Sequence, residues 1–156
     1  ADAKVAYTQG SVDAWSTWEP YVSQEEVLFK SRRIITGDGL TPGLSFQVAT
    51  PTAIKDKRAA LEDFVQRLAA ARVWSLGNVE SYAETWGRLM NIPPAVPLNW
   101  LKRAKVRIAP VDDAVVADEQ TTIDLYTRTG LIKRRLDAAG ILDRSFSAAI
   151  AKGAGL

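Results

Sequence analysis

Apolar residues recur at three- and four-residue spacing through most of the second half of the chain, which is the pattern of amphipathic helices. Pro51 and Thr52 open the clearest of these, a long helix that we expect to break at Gly77-Asn78. Its apolar stripe consists of Leu61, Phe64, Val65, Leu68 and Val73. The same pattern predicts further helices over 81–90, 97–102, 113–128 and 131–139, then a short segment over 143–149 and a frayed tail from 152.

The first third of the chain mixes shorter patterns. Helical spacing predicts helices over 3–9, stopped by Gly10, and over 21–29. Alternating or β-branched runs predict strands over 15–19, 31–35 and 45–49, and a short strand or extended link over 105–108. Between the second and third strands, residues 36–43 are dense in Gly, Thr and Pro and predict a loop. The chain is therefore expected to be α/β, and helix-rich after this loop.

Composition places the chain among ordinary globular proteins. Its 156 residues are 47% hydrophobic and 24% charged, which excludes a disordered or collagen-like chain. No apolar run is long enough to span a bilayer. The net charge is only +2. The basic runs at 102–107 and 133–135 lack any nucleic-acid-binding motif and are interpreted as solvated surface, so no nucleic acid partner is expected.

The chain contains no Cys and no His. This excludes, within the chain, a thiol nucleophile, a zinc site with Cys or His ligands, a Ser-His-Asp triad and a disulfide framework. Carboxylate pairs such as Asp112-Asp113 and Glu25-Glu26 are explained by helix starts and solubility. We therefore predict no catalytic residue, no metal site and no cofactor.

Two tryptophans three residues apart, Trp15 and Trp18, lie beside Glu19. Aromatic faces next to one polar group suit a small-ligand cleft, although packing in a core is the plain alternative for either ring. Ser45 follows the Gly-rich loop and could present its hydroxyl to an anion, or simply form a local turn. The loop itself lacks a G-x-G-x-x-G phosphate-binding motif.

The residues from 6 to 21, AYTQGSVDAWSTWEPY, resemble the stretch F-x-x-G-x-V-D-A-W-x-x-W-D-P-Y of periplasmic aliphatic-sulfonate-binding proteins. Residues 33–39 are similar to that family's R-V-L-x-D-G segment, and 45–49 to its S-F-Y-L-A. The turn at 90–94 and the helix at 118–130 also fit, so the resemblance runs along essentially the whole chain. Glu19 is one departure, since many relatives carry Asp at this position.

The resemblance implies a fold of two α/β lobes, type II-like, of which this chain matches the C-terminal half. Residues 1–34 would end the second lobe, 35–44 would be a hinge crossing, and 45–156 would return to the first lobe and supply the terminal helices. The chain begins within an apparent helix and without Met. We therefore expect a fragment whose missing half carries the signal peptide and many ligand contacts.

The resemblance also implies a function. The family supplies the substrate-binding components of ABC importers, so the expected ligand is an alkanesulfonate used as a sulfur source, the expected partner is the importer's membrane permease, and the expected location is the periplasm. Expected ligand-binding residues are Trp18, Trp15, Ser45, Asp38 and Gly39. Glu19 would repel a sulfonate, and we expect it to pair with Arg32 or Arg33 at the lobe edge, or to face an aminated ligand.

Three alternatives stay open from the sequence. The ligand could be taurine, nitrate or a thiamin-pyrimidine precursor, because related binding proteins take these. The complete protein could be a desulfinase-like enzyme whose nucleophile lies outside this chain. A sheet edge left without its neighbours could also pair with a second copy, so self-association of the chain is a further expectation.

Overall fold

The computed structural model describes residues 2–156, and the secondary structure of this range is helical. The α-helices are α1 (Asp2–Thr8), α2 (Tyr21–Phe29), α3 (Pro51–Asp56), α4 (Arg58–Gly77), α5 (Val79–Met90), α6 (Ala95–Arg103), α7 (Asp113–Arg128), α8 (Ala138–Ile141) and α9 (Ser147–Ala154). A 3-10 turn, Arg144–Phe146, precedes α9. None of the helices in 2–156 has both the length and the apolar character needed to cross a membrane.

The predicted strands are wrong for the described chain. Residues 15–19, 31–35 and 45–49 lie outside helices, but none of them forms a strand with another segment of 2–156. Residues 105–108 form the extended link that was the second possibility for that segment. A strand exists only where a second segment accepts and donates its backbone hydrogen bonds. Side chains that would face a sheet are exposed instead, at 76% for Ile34 and Ile35 and 94% for Val48. The described chain therefore has the helices of the expected α/β fold but none of its strands.

The chain divides into two compact units. One comprises the residues up to Ile34 together with Asn78–Lys105, and the other Ile35–Gly77 together with Val106–Leu156. In the first unit, α6 packs against both α2 and α5. Its interior contains Val96, Ala83 and Leu101, beside the edge-to-face pair of Trp86 and Trp100 with ring centroids 4.8 Å apart. This packing holds α2 in place, and α2 carries most of the polar groups described below.

The second unit is built on α4, which packs along α9. The helix predicted to run on from Pro51 is divided at Lys57, so that α3 and α4 are separate. Thr50 caps α3 by accepting the Ala53 N–H at 3.1 Å, with Pro51 in the first helical position. Asp112, one of the two adjacent aspartates that could cap this helix, caps α7 by accepting the Val115 N–H at 2.9 Å.

The helix predicted over 131–139 is wrong, because only Ala138–Ile141 is helical. Side chains of α7 hold the preceding segment in a non-helical course. Gln120 donates to the Leu136 carbonyl and accepts the Ala138 N–H, while Asp124 accepts from the Arg135 guanidinium at 2.7 Å. These long-range bonds replace the local ones that a helix would make.

The predicted frayed tail is also wrong, since α9 continues to Ala154. Gly153 explains the order of this last turn. A Cβ added to Gly153 would lie 2.1 Å from the Gln66 carbonyl oxygen and 2.9 Å from the Ala69 Cβ. Glycine therefore permits the backbone of α9 to lie directly against α4, and this contact fixes the end of the chain.

Candidate functional site

An aromatic group precedes and opens α2. Trp15 lies between two tyrosines, with ring centroids 6.3 Å from Tyr7 and 6.0 Å from Tyr21. Trp18 meets Tyr21 edge to face at 6.0 Å. Trp15 is half-buried by these contacts, whereas Trp18 is 72% exposed. Although this segment is not the predicted strand, the two indoles do differ in environment, and Trp18 is the one that faces solvent.

Glu19 serves the start of α2. Its Oε2 accepts the Ser23 backbone N–H at 3.0 Å, one of the amide groups that the first turn of a helix leaves unpaired. The carboxylate also complements the positive end of the helix dipole. Glu19 does not pair with Arg32 or Arg33 as expected; its Oε1 accepts from Arg103 Nη2, on α6. Glu19 therefore has a structural role: it joins the start of α2 to Arg103 on α6.

Arg103 connects the two helices through a fork. Its Nη2 donates to Glu19 and, at 3.0 Å, to the Ser23 hydroxyl, while its Nη1 donates to Glu26 Oε2. Asn99, one turn earlier on α6, donates to the same Glu26 oxygen at 3.0 Å. Arg33 lies 3.5 Å from the other Glu26 oxygen. Two carboxylates and two guanidiniums therefore balance in charge on this face of the unit.

The fork shifts the pKa values of Glu26 and Arg103. Burial acts to raise the pKa of Glu26, but the hydrogen bond and charge of Arg103, the Asn99 amide and Arg33 outweigh it, and the pKa stays below its ordinary value. Burial likewise acts to lower the pKa of Arg103, and its bonds to Glu19 and Glu26 raise it overall. Both groups are therefore held in their charged forms.

The remaining predicted site residues lie in the other unit. Asp38 and Gly39 form an exposed turn, in which the Leu40 N–H donates to the Gly37 carbonyl at 2.9 Å. Gly39 has a φ of +73°, which glycine adopts without strain. Ser45 is exposed in the extended segment that follows. The tryptophans and these three residues belong to different units, and each group's ligand role stays a prediction.

The sequence pattern predicts the wrong environment for Arg103. Its basic run, 102–107, was predicted to be a solvated face, but Arg103 is half-buried against carboxylates 77 and 84 positions away. No local signal marks it, because Lys102 in the same last helical turn makes only an exposed pair with Glu80 at 3.5 Å. Only the packing of α6 on α2 distinguishes the two cations.

Two known proteins are similar to this chain in sequence. No protein-family model matches the chain. A protein of Bacillus subtilis (strain 168), named for the binding of aliphatic sulfonates, is 26% identical over 148 residues, which are 93% of this chain and 44% of that protein. A protein of Escherichia coli (strain K12) with the same name is 28% identical over 138 residues, covering 88% of this chain and 43% of that protein.

A solved structure agrees with these relatives. The crystal structure of the periplasmic aliphatic sulphonate binding protein SsuA from Escherichia coli matches with a TM-score of 0.76 and 27% identity, over 91% of this chain and 46% of that one. The chain is a homologue of aliphatic-sulfonate-binding proteins. The resemblance stated from its sequence motifs is thereby confirmed.

The match covers most of this chain but only part of each matched protein. It covers nearly all of this chain, yet the chain spans less than half the length of each of these sulfonate-binding homologues. The homologues and the solved structure are named as binding proteins and not as enzymes.

Proposed function

We propose that this chain is part of a substrate-binding component of an ABC importer, which captures aliphatic sulfonates in the periplasm for uptake as a sulfur source and delivers them to a membrane permease. The observation that carries the proposal is the match to sulfonate-binding homologues over about nine-tenths of the chain. Such a protein releases its ligand unchanged, so it needs no bond-making residue and is not an enzyme.

We infer that the chain is the C-terminal half of a two-lobe α/β protein. In this proposal residues 1–34 end the second lobe and 35–44 cross the hinge. The sequence assigns all of 45–156 to the first lobe, but residues 78–105 pack in the same unit as the residues up to Ile34, so the proposal keeps only 45–77 and 106–156 for the return to the first lobe. The exposed apolar side chains of Ile35 and Val48 support this assignment. Strands of a parallel sheet are buried on both faces, so such residues are covered when neighbouring strands are present. Without them, the extended segments could instead pair with a second copy.

We propose Trp18, Trp15, Ser45, Asp38 and Gly39 as ligand-binding residues of the complete protein. A sulfonate is a permanent anion with three acceptor oxygens and needs hydroxyl or backbone N–H donors, while its alkyl tail needs an apolar surface. The Ser45 hydroxyl and the Gly39 amide are of the first type, and the exposed Trp18 ring is of the second. Glu19 is excluded from ligand contact in this proposal because Arg103 and the start of α2 occupy it.

Calorimetry on the complete gene product containing this chain tests the function. Short alkanesulfonates should bind tightly, and taurine, nitrate and a thiamin-pyrimidine precursor should bind more weakly. Deleting the gene should abolish growth on an alkanesulfonate as sole sulfur source but not on sulfate. Tight binding of nitrate or of the pyrimidine with no response to alkanesulfonates would overturn the proposal, and cleavage of the C–S bond of a sulfonate or sulfinate added as ligand would favour an enzyme.

A further inference from the structure

A surface cavity of about 380 Å³ lies in the first unit, apart from the carboxylates that Arg103 occupies. It is lined by Tyr7, Thr8, Glu25, Phe29 and Ser31. The two rings come from α1 and α2, and the polar groups are one carboxylate, the two aliphatic hydroxyls of Thr8 and Ser31, and the Tyr7 phenol. This volume is within the range of small-ligand pockets.

Glu25 is the unusual member of this lining. It is 6% exposed, and its Oε1 is buried with no hydrogen-bond partner in the described chain. Buried carboxylates normally have a cation or several donors, because an isolated buried charge is costly. Its neighbour Glu26 shows the ordinary arrangement, with Arg103, Asn99 and Arg33 around it.

Two lysines of the same unit, on α1 and at the end of α2, bond to other groups. Lys4, on α1, donates its Nζ to Gln24 Oε1 at 2.8 Å. Lys30 turns back on its own helix and donates to the Val27 carbonyl at 3.1 Å. Neither supplies a counter-charge to the Glu25 carboxylate.

The end of α2 places Ser31 beside this carboxylate. Lys30 adopts a left-handed conformation with φ of 58°, and its N–H donates to the Glu25 carbonyl. The Ser31 N–H donates to the same carbonyl at 3.1 Å. The chain reversal therefore returns Ser31 to the cavity lining. Thr8, at the end of α1, lines the cavity as well, and its hydroxyl donates to the Lys4 carbonyl at 2.9 Å, which leaves its oxygen able to accept.

We propose that this cavity binds an alkyl cation, either an alkylammonium or an alkylguanidinium, whose charged group pairs with Glu25. A cation supplies the counter-charge that the Glu25 carboxylate lacks, and the hydroxyl oxygens of the lining can accept its remaining N–H groups. The Tyr7 and Phe29 rings supply faces for the charge and for the alkyl stem. An anion would be repelled, and one carboxylate offers too few oxygens for Ca²⁺.

Two sources carry this chemistry: a free amine or guanidine, and the side chain of Lys or Arg on another polypeptide segment. The cavity is open at the surface, so both probes can be tested on the full 156-residue chain. n-Butylammonium and n-butylguanidinium represent the first source. A capped tripeptide with a central Arg represents the second, and n-butanol and n-butanesulfonate are the neutral and anionic controls.

Titrations are followed by ¹H–¹⁵N NMR at the Thr8, Glu25 and Ser31 amides. We expect at least one cationic probe to shift these amides with a dissociation constant of about 1 mM or lower, and neither control to do so. Glu25→Gln keeps the side-chain size and should abolish the response. Glu84→Gln, which neutralises an exposed carboxylate on α5, should leave it unchanged.

Phe29→Leu provides a second variant, at a side chain that is 52% exposed and therefore contributes little to core packing. It should weaken binding by about two- to five-fold through the lost cation–π contact. A response to the peptide alone identifies the polypeptide source, and a response to the small cations identifies the free ligand as sufficient. No shift with any cation, or equal binding by Glu25→Gln, overturns the proposal. No sulfonate binding is involved, so the result is independent of the function proposed above.

Discussion

At the residue scale, the two indoles before α2 have different surroundings. Trp15 is enclosed by Tyr7 and Tyr21, while Trp18 touches Tyr21 by an edge and leaves 72% of its surface open. Aromatic surface that stays exposed beside a helix start is available to a ligand, whereas a ring enclosed by other rings contributes to stability. The roles of the two tryptophans can therefore be separated by mutation.

Trp18→Ala, made in the complete gene product, should weaken alkanesulfonate binding by about 1–3 kcal/mol through lost contact area, with little change in stability. Trp15→Ala should instead lower the free energy of unfolding by about 1–3 kcal/mol, because its ring packs between two tyrosines. Calorimetry and denaturant unfolding measure the two effects. Unchanged affinity in the Trp18 variant together with a large loss of stability would mean that the two roles are reversed.

The Arg103 fork yields a second residue-scale prediction. Arg103→Met keeps the aliphatic packing but leaves Glu19, Glu26 and the Ser23 hydroxyl without their shared donor. We expect the free energy of unfolding to fall by about 1–3 kcal/mol, between the values for exposed and buried ion pairs, since these side chains are 20–26% exposed. Lys102→Met, which removes the exposed neighbour, should change it by under about 1 kcal/mol. Equal effects would contradict the fork's role.

The same fork predicts a pH dependence. The pKa of Glu26 is lowered in the folded chain from an ordinary value of 4.5. A depressed carboxyl pKa contributes stability that is present above the unfolded value and is lost as the pH falls through the folded value. Unfolding measured from pH 7 down to the acid range should therefore show a loss beginning near pH 4.5. Arg103→Met should flatten this loss, and an unchanged acid slope would contradict the assignment.

At the element scale, the contact between α4 and α9 depends on glycine. Gly153→Ala would place a Cβ 2.1 Å from the Gln66 carbonyl oxygen, which is backbone and cannot move alone. The two helices must separate, and we expect a loss of about 1–3 kcal/mol in the free energy of unfolding. If α9 unwinds, the helical signal of the whole chain in far-ultraviolet circular dichroism should weaken as well.

Gly77→Ala is the matched control, because a Cβ at Gly77 meets nothing within 4 Å and Gly77 is the last residue of α4. It should be neutral or stabilising by up to about 1 kcal/mol, as alanine favours helix. If both variants behaved alike, helix propensity rather than close approach would be the cause.

At the scale of the whole molecule, the chain spans less than half of its homologues and leaves apolar side chains exposed along its extended segments. A cleft formed between two lobes loses much of its polar lining when half of the chain that builds them is absent. We therefore expect the 156-residue chain alone to bind short alkanesulfonates weakly or not at all in calorimetry, and the complete gene product to bind them. Micromolar binding by the chain alone would contradict the two-lobe proposal.

Much of the helical structure was predictable because it depends on local order along the chain. The helix over 21–29, the Asp112 cap and the end at Arg128 follow from spacing and from residues that bond their own neighbours. The homology was predictable for a similar reason. The VDAW-WEPY run is contiguous, and so it can be read without knowing what it touches.

The features that the sequence left open depend on contacts between distant residues. Strand-forming residues such as Val48 stay unpaired because no other segment of the described chain bonds to them. The helix expected over 131–139 gives way to bonds from Gln120 and Asp124. Arg103 becomes a structural cation, and Glu25 an unpartnered carboxylate, only once α1, α2 and α6 are packed. A side chain's charge and size are local properties, whereas its burial and its partners arise from the packing of elements that the sequence separates by up to 84 positions.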